Sequence, residues 1–385
     1  MNILVVSRVT TLHSIGGMET LVSDLVNGLA ARGCSVTVLT TSIVGFESDF
    51  TLKNVKYICL PVKSASYSRM WWRESANYFE INYKKFDIVL SISAAAFSML
   101  NKSNKEKCKF IMQAHGTSLG EIKSKIRTRK IKPILSIVKN LRWILIDLYK
   151  YRFFDLIISS GQRVKDDLLS FPYNGVVYSE KIKYMANGIN TDIFYPLDRD
   201  RLNTRKMLGI DEKTFVIIVA SRLTVQKGVY QALDGFIDYK QKYNNNSFLL
   251  VVGDGPELSP MEKLIDYHNL NDSAFFTGGV DVVNLANFLR ASDVYVFPTL
   301  HNEGLPLLPL ESLSCGVPVI ASSHLHEIQK ISDGVYPINP HSVNDISEKI
   351  DRCFKIRRDA GSLLPNDYTL DGMLESYLRL FKNYV

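Results

Sequence analysis

Short apolar runs alternate with longer amphipathic stretches along nearly the whole chain. Strands covered on both faces and joined by helices leave this pattern. In the first half it predicts strands over residues 2–6, 35–40, 55–60, 88–91, 109–113, 156–159 and 182–185. A stretch rich in Asn, Asp and Pro, ANGINTDIFYPLDRD from Ala186, interrupts the series. It resumes with strands over residues 214–220, 248–252, 274–277, 294–297 and 319–321. The expectation is an α/β protein of two doubly wound, Rossmann-like domains facing a central cleft, 1–189 and 190–365, with a terminal helix over about 366–385 packing back on the first. In open α/β sheets ligands bind outside the carboxyl ends of the strands, so functional residues are sought just after each predicted strand.

The most informative such segment is NEGLPLLPLESLSCGVPVIAS, from Asn302 to Ser322, after the strand VYVFP. Gly304 and Pro306 forbid one continuous helix between Glu303 and Glu311. The reading is a strand, a glycine loop and a helix starting near Pro309, with Glu311 in its first turn. The free backbone N–H groups of the loop Gly304, Leu305, Leu307 and Leu308, with Pro306 between them, then form a cradle for phosphate at a helix N-terminus. Carboxylates on either side accept hydrogen bonds from sugar hydroxyls, a combination that suits a nucleotide sugar. The plainer alternative is that Glu311 complements the helix dipole and Glu303 is solvated. SRLTVQKG, directly after TFVIIVA, places Arg222 and Lys227 at another strand end, where a guanidinium fork and an ammonium can converge on a diphosphate. A solvated loop pair is the competing reading.

Together with VVGDGPE at residues 251–257, ANGINTDIFYP at 186–196 and GGMET at 16–20, these motifs resemble the retaining glycosyltransferases of family 4, enzymes with the two-domain GT-B fold. The resemblance covers most of the chain in the expected order. It implies that Arg222 and Lys227 bind the donor diphosphate, Glu303 the donor sugar hydroxyls and Glu311 the nucleoside ribose. The loop of residues 304–308 would hold phosphates and nucleoside. Gly16 and Gly17, between the first strand and a helix, let the backbone approach the donor phosphate, although a plain βα loop is the alternative. His115, in MQAHGTS at a strand end, matches the family's HG position beside the transferred sugar, where a neutral imidazole serves as hydrogen-bond donor or orienter. Asp254 shapes the GDGP turn at the nucleotide pocket. Asn187, with Gly188, matches the interdomain NG hinge. After CGVPVIAS the family's glycine-rich GGxxE loop is replaced by SSHLHEIQKISDG, with Leu325 and His326 ahead of Glu327.

Charge adds a second layer. The formal sum is +7, but residues 1–185 hold 27 Lys/Arg against 14 Asp/Glu, leaving 19 against 25 in the remainder. In the family arrangement the basic half receives the acceptor. Ten cations lie within residues 121–152, interleaved with Ile, Leu, Trp143 and Tyr149. That segment reads either as a solvated helix or as a surface that leans on anionic lipid, and nucleic acid is set aside because no recognition motif accompanies it. Five scattered cysteines form neither a disulfide framework nor a zinc cluster, which fits a reducing compartment. The N-terminal apolar run is too short for a signal peptide, and no stretch reaches membrane-spanning length. The expected location is cytoplasmic, peripheral at the inner face of the cell membrane. No DxD motif is present in a plausible place, so no metal and no cofactor are expected beyond the nucleoside diphosphate sugar as co-substrate.

The function these readings imply is retaining transfer of a hexosyl unit from a UDP-sugar, or a GDP-sugar, to a hydroxyl of a glycan or lipid-linked acceptor in bacterial surface polysaccharide assembly. A nucleotide-sugar epimerase, a phosphorylase or a donor-binding module without turnover are the alternatives, since architecture alone does not separate them.

Overall fold

The structure, a computed structural model, describes residues 1–14, 16–63, 67–127, 137–301, 305–356 and 361–384, with the backbone alone at 124–127 and 137–139. The chain divides into two compact units, Met1–Gly188 with Leu370–Val385, and Ile189–Thr369.

The first unit is built on eight strands: β1 (Asn2–Val6), β2 (Ser35–Thr41), β3 (Asp49–Leu52), β4 (Val55–Leu60), β5 (Ile88–Ile92), β6 (Lys109–Ala114), β7 (Leu156–Ser159) and β8 (Ile182–Tyr184). Their order in the sheet is β3-β4-β2-β1-β5-β6-β7-β8. All pairs are parallel except β3 with β4. The central strands are buried on both faces, which is why they read as unbroken apolar runs. One face is covered by a cluster around Trp71, Phe79, Phe110 and Phe154. The other carries the helix Gly17–Ala31 and the terminal helix Leu370–Lys382, whose Met373, Leu374, Tyr377 and Phe381 are buried. Gly28 makes that second contact possible, because a Cβ there would collide with the Leu374 side chain.

The second unit has six parallel strands: β9 (Phe215–Ala220), β10 (Ser247–Val252), β11 (Ala274–Phe276), β12 (Val294–Phe297), β13 (Val319–Ser322) and β14 (Val335–Ile338), in the order β11-β10-β9-β12-β13-β14. Helices Val229–Lys242 and Val343–Lys355 pack on one face, closely enough that a Cβ at Gly235 would collide with Ile346. The chain runs from β9 outward to β10 and β11, then crosses back to β12. The gap between the carboxyl ends of β9 and β12 is therefore the unit's topological switch point.

Some elements depart from the sequence expectation. Strands β3 and β14 have no counterpart in the series expected from the apolar runs. The terminal helix starts at Leu370, while Asn366–Tyr368 stay with the second unit, where the Ile189 amide donates to the Tyr368 carbonyl at 2.8 Å. The basic segment 121–152 is not one helix: it contains the end of Ser118–Arg127 and the whole of Ile137–Tyr151, with 128–136 outside the described residues. Among the described residues no helix is long and apolar enough to cross a membrane, and all five cysteines are free.

Candidate active site

In the second unit the switch point gathers the segments singled out by their motifs. After β9 the chain runs through Ser221, Arg222 and Leu223 into a single 3-10 turn, Val225–Lys227. Gly228 then takes a left-handed conformation (φ +72°) and starts the helix Val229–Lys242. It is required there, because a Cβ would collide with the Pro298 carbonyl beyond β12. The Gln226 carbonyl accepts the amides of Leu300 at 2.9 Å and His301 at 3.1 Å, and the Thr299 hydroxyl at 3.2 Å. The loop bearing Arg222 and Lys227 is thus pinned to the loop that leads into Glu303. Glu303 and Gly304 themselves lie outside the described residues. Lys227 places its amine 5.7 Å from the centroid of the Phe297 ring. Arg222 is exposed and forms no ion pair with any described residue.

From the other side the GDGPE segment after β10 lies against the same loop. The Leu223 amide donates to the Asp254 carbonyl at 2.9 Å, and the Glu257 amide to the Leu223 carbonyl at 3.2 Å. Gly253 (φ +130°) allows this approach, since a Cβ would strike the Ser221 carbonyl. The Asp254 carboxylate accepts the Gly255 amide at 2.6 Å through one oxygen, an interaction within the turn. Tyr230 donates its hydroxyl to Glu257, and this bond, with burial, pushes the phenol up to about 12.

Beyond β12 the helix covers Leu307–Ser314 with Pro306 at its N-cap, two residues earlier than expected. Pro309 is tolerated because a helix's first-turn amides have no intrahelical partner to lose. Glu311 consequently belongs to the second turn, not the first, and the first turn holds no acid. Leu305 is buried, while Pro306, Leu307 and Leu308 are half-buried and Leu307 and Leu308 present helix-terminal amides. The segment that replaces the glycine-rich loop is tied to this site as well. The Ser322 hydroxyl donates to the Thr299 carbonyl at 2.8 Å, and the His324 ring hydrogen-bonds through Nε2 with the His301 carbonyl at 3.0 Å.

In the first unit Gly16 is the N-cap and Gly17 the first residue of the helix Gly17–Ala31. The Glu19 carboxylate folds back so that a Cβ at Gly16 would collide with it. His115 follows β6, and its Nε2 is shielded from solvent without a hydrogen-bond partner. Burial lowers its imidazole to about 4, so the ring is neutral near pH 7. Asn187 is buried, with Oδ1 unpartnered. His115 lines an open cavity of about 1240 Å3 whose lining residues all belong to the first unit. Asp147, which sequence reading passed over as a minority acid in a basic segment, lines it too. It accepts hydroxyls from Ser118 at 2.7 Å and Tyr173 at 2.9 Å, and burial raises its carboxyl to about 6. Three His, Cys, Asp or Glu groups able to hold a metal converge nowhere among the described residues.

Comparison with known proteins gives matches to both halves. The family model described as glycosyl transferases group 1 matches residues 200–363, and that for glycosyltransferase family 4 matches residues 15–193. Alpha-monoglucosyldiacylglycerol synthase of Acholeplasma laidlawii is 23% identical over 314 residues, covering 80% of this chain and 76% of that protein. A GDP-mannose-dependent alpha-(1-6)-phosphatidylinositol monomannoside mannosyltransferase of Mycolicibacterium smegmatis is 26% identical over 162 residues, 40% of this chain and 42% of that one. Among solved structures, HepE of Anabaena in complex with UDP and glucose superposes with a TM-score of 0.72 at 15% identity, covering 100% of both chains.

Proposed function

This chain belongs to glycosyltransferase family 4, and from that premise we propose that it moves a hexosyl unit, with retention and without a metal, from a nucleoside diphosphate sugar to an acceptor hydroxyl. The observation that carries the reading is the junction between the loops after β9 and β12. There the Gln226 carbonyl holds the Arg222/Lys227 segment against the loop leading to Glu303 and the amides of Leu307 and Leu308. Negative charge grows on the leaving diphosphate as the glycosidic bond breaks, and two cations with helix-terminal amides are suited to stabilise it. The acceptor oxygen attacks C1 from the side the diphosphate leaves. Its proton passes to the departing phosphate oxygen, so the C1–phosphate bond is exchanged for a C1–acceptor bond. Neutral His115 contributes one N–H donor or one lone pair beside the transferred sugar. Glu303 receives the sugar hydroxyls and Glu311 the ribose.

The favoured donor is a UDP-sugar, on the likeness to the UDP-bound HepE fold, with a GDP-sugar as the alternative that the mycobacterial relative represents. Both named relatives that glycosylate act on lipid, which supports a lipid-linked acceptor and a role in surface polysaccharide assembly. The helix Ile137–Tyr151 supports attachment to an anionic membrane face: Leu141, Leu145 and Tyr149 form an exposed apolar row with Arg142 and Arg152 beside it. The deciding assay is release of UDP or GDP from a donor panel with and without a lipid-linked sugar. Acceptor-dependent release is expected. Sugar interconversion without acceptor, or saturable donor binding with no nucleotide released, would replace the transferase by an epimerase or a binding module.

A further inference from the structure

The cavity of the first unit is larger than the roughly 300–1,000 Å3 usual for a small-molecule site. Its volume leaves room for more than one sugar ring. One wall is aromatic. Tyr67 stacks on Trp72 with 4.9 Å between ring centroids and lies 5.7 Å from Trp143. Such faces receive the apolar side of a saccharide ring. Three cations share the lining with that wall. The Arg8 guanidinium carbon sits 3.9 Å from the Tyr67 centroid, the Lys150 amine donates to the Leu100 carbonyl at 2.8 Å, and Arg142 stands at the exposed edge. None of the three forms an ion pair with a described carboxylate. Burial also lowers the Lys150 amine. Arg8 and Lys150 are partly buried, and such cations without a counter-charge are costly until an anion arrives. Two carboxylates line the cavity, exposed Glu121 and buried Asp147, and the latter is already engaged by the hydroxyls of Ser118 and Tyr173. The unpartnered Nε2 of His115 adds a shielded polar atom to the same lining.

We propose that this cavity takes an acceptor carrying phosphate, its saccharide ring against Tyr67, Trp72 and Trp143 and its phosphate on Arg8, Lys150 and Arg142. The assignment rests on the transferase reading above and specifies the chemistry of its second substrate.

Two of the chain's three tryptophans, Trp72 and Trp143, line the cavity, so intrinsic fluorescence reports binding without turnover. The full chain, saturated with UDP, is titrated with glucose 1-phosphate and with methyl glucoside. In a parallel arm, phosphatidylcholine vesicles carry either phosphatidylinositol or glucosyl-diacylglycerol. At least one phosphorylated probe is expected to bind about tenfold tighter than its unphosphorylated counterpart, as charge-assisted hydrogen bonds predict. The free sugar phosphate winning marks a soluble acceptor, and the vesicle winning marks a lipid-borne one. Arg8→Gln and Lys150→Gln should each abolish that preference, whereas Arg8→Lys should keep most of it. The idea is overturned if neither phosphorylated probe is preferred in the unaltered chain, a result that no misfolded variant can obscure. It also falls if both Gln variants keep the preference while still binding UDP. Transfer from the donor panel to unphosphorylated sugars with equal efficiency would end this inference and leave the transferase standing. Binding of sugar phosphate by a chain that never turns over a donor would do the reverse.

Discussion

Gly253→Ala tests the idea that backbone-on-backbone packing aims Arg222. At φ +130° an alanine is strained by about 1–3 kcal/mol. Its Cβ would also meet the Ser221 carbonyl, a backbone atom that cannot rotate away as a side chain could. Relief requires separating the two loops, at the expense of the Leu223-to-Asp254 hydrogen bond at 2.9 Å or the Glu257-to-Leu223 bond at 3.2 Å, each contributing about 1 kcal/mol. The total is about 3 kcal/mol, or a fall of about 6–12 °C in the UDP-dependent thermal transition for a unit of this size. UDP affinity should drop about tenfold, because the displaced segment carries Arg222. Gly278→Ala is the control. It too has positive φ (+67°), but a Cβ there meets nothing within 4 Å, so only the conformational term of about 1 kcal/mol applies. Its transition should fall by about 3 °C with UDP affinity unchanged. Equal losses in the two variants would refute the reasoning, since strain without collision would then suffice.

Lys227→Ala and Arg222→Ala should each lower kcat by about a hundredfold or more, as removal of a transition-state charge partner does, while thermal stability changes by less than about 1 kcal/mol; normal turnover in both would displace the donor site. Asp147 gives a pH signature. Its folded carboxyl lies at about 6, above its ordinary 3.8, so the contribution it makes is complete below pH 3.8 and is lost as pH rises through about 6. That loss is about 3 kcal/mol at 1.36 kcal/mol per pH unit. Asp147→Asn should remove this component from urea melts of the first unit between pH 4 and 7, and an identical pH profile in the variant would refute it. Leu145→Gln, on the exposed row of Ile137–Tyr151, should weaken co-sedimentation with anionic vesicles and spare binding of UDP; salt-insensitive or absent sedimentation of the unaltered chain would dismiss the membrane face.

The strands legible in sequence were those buried on both faces. β1, β4, β7 and β12 end where the apolar runs end, and most others differ by a residue. The two strands without an apolar run to mark them, β3 and β14, lie at sheet edges. β3, Asp49–Leu52, is short and mixed in polarity, is only partly buried, and pairs antiparallel with β4 alone. β14 contains Pro337, which reads as a breaker but is tolerated on an edge strand. In the candidate site, order along the chain was readable from motifs at strand ends. The register of Glu311 was not, because Pro306 and Pro309 are both acceptable helix starters and the structure begins the helix at Leu307. Asp147 and the aromatic wall were illegible for another reason. Tyr67 and Trp72 come from one segment and Trp143 and Asp147 from another remote in sequence, none at a strand end, and only the fold brings the two segments around one cavity.

The return of Leu370–Lys382 to the first unit makes the second unit an insertion in a domain that is discontinuous in sequence. On the ribosome the order of completion is therefore inverted. The unit formed by Ile189–Thr369 has all its strands before the first unit has its last helix. Until residues 370–382 emerge, the surface around Leu25, Leu29 and Gly28 lacks its cover, and the Arg32 to Asp371 ion pair cannot form. The nascent first unit thus waits with an open apolar face, which is where a chaperone would bind, and a premature stop before Leu370 would leave a chain with a finished second unit and an unfinished first unit.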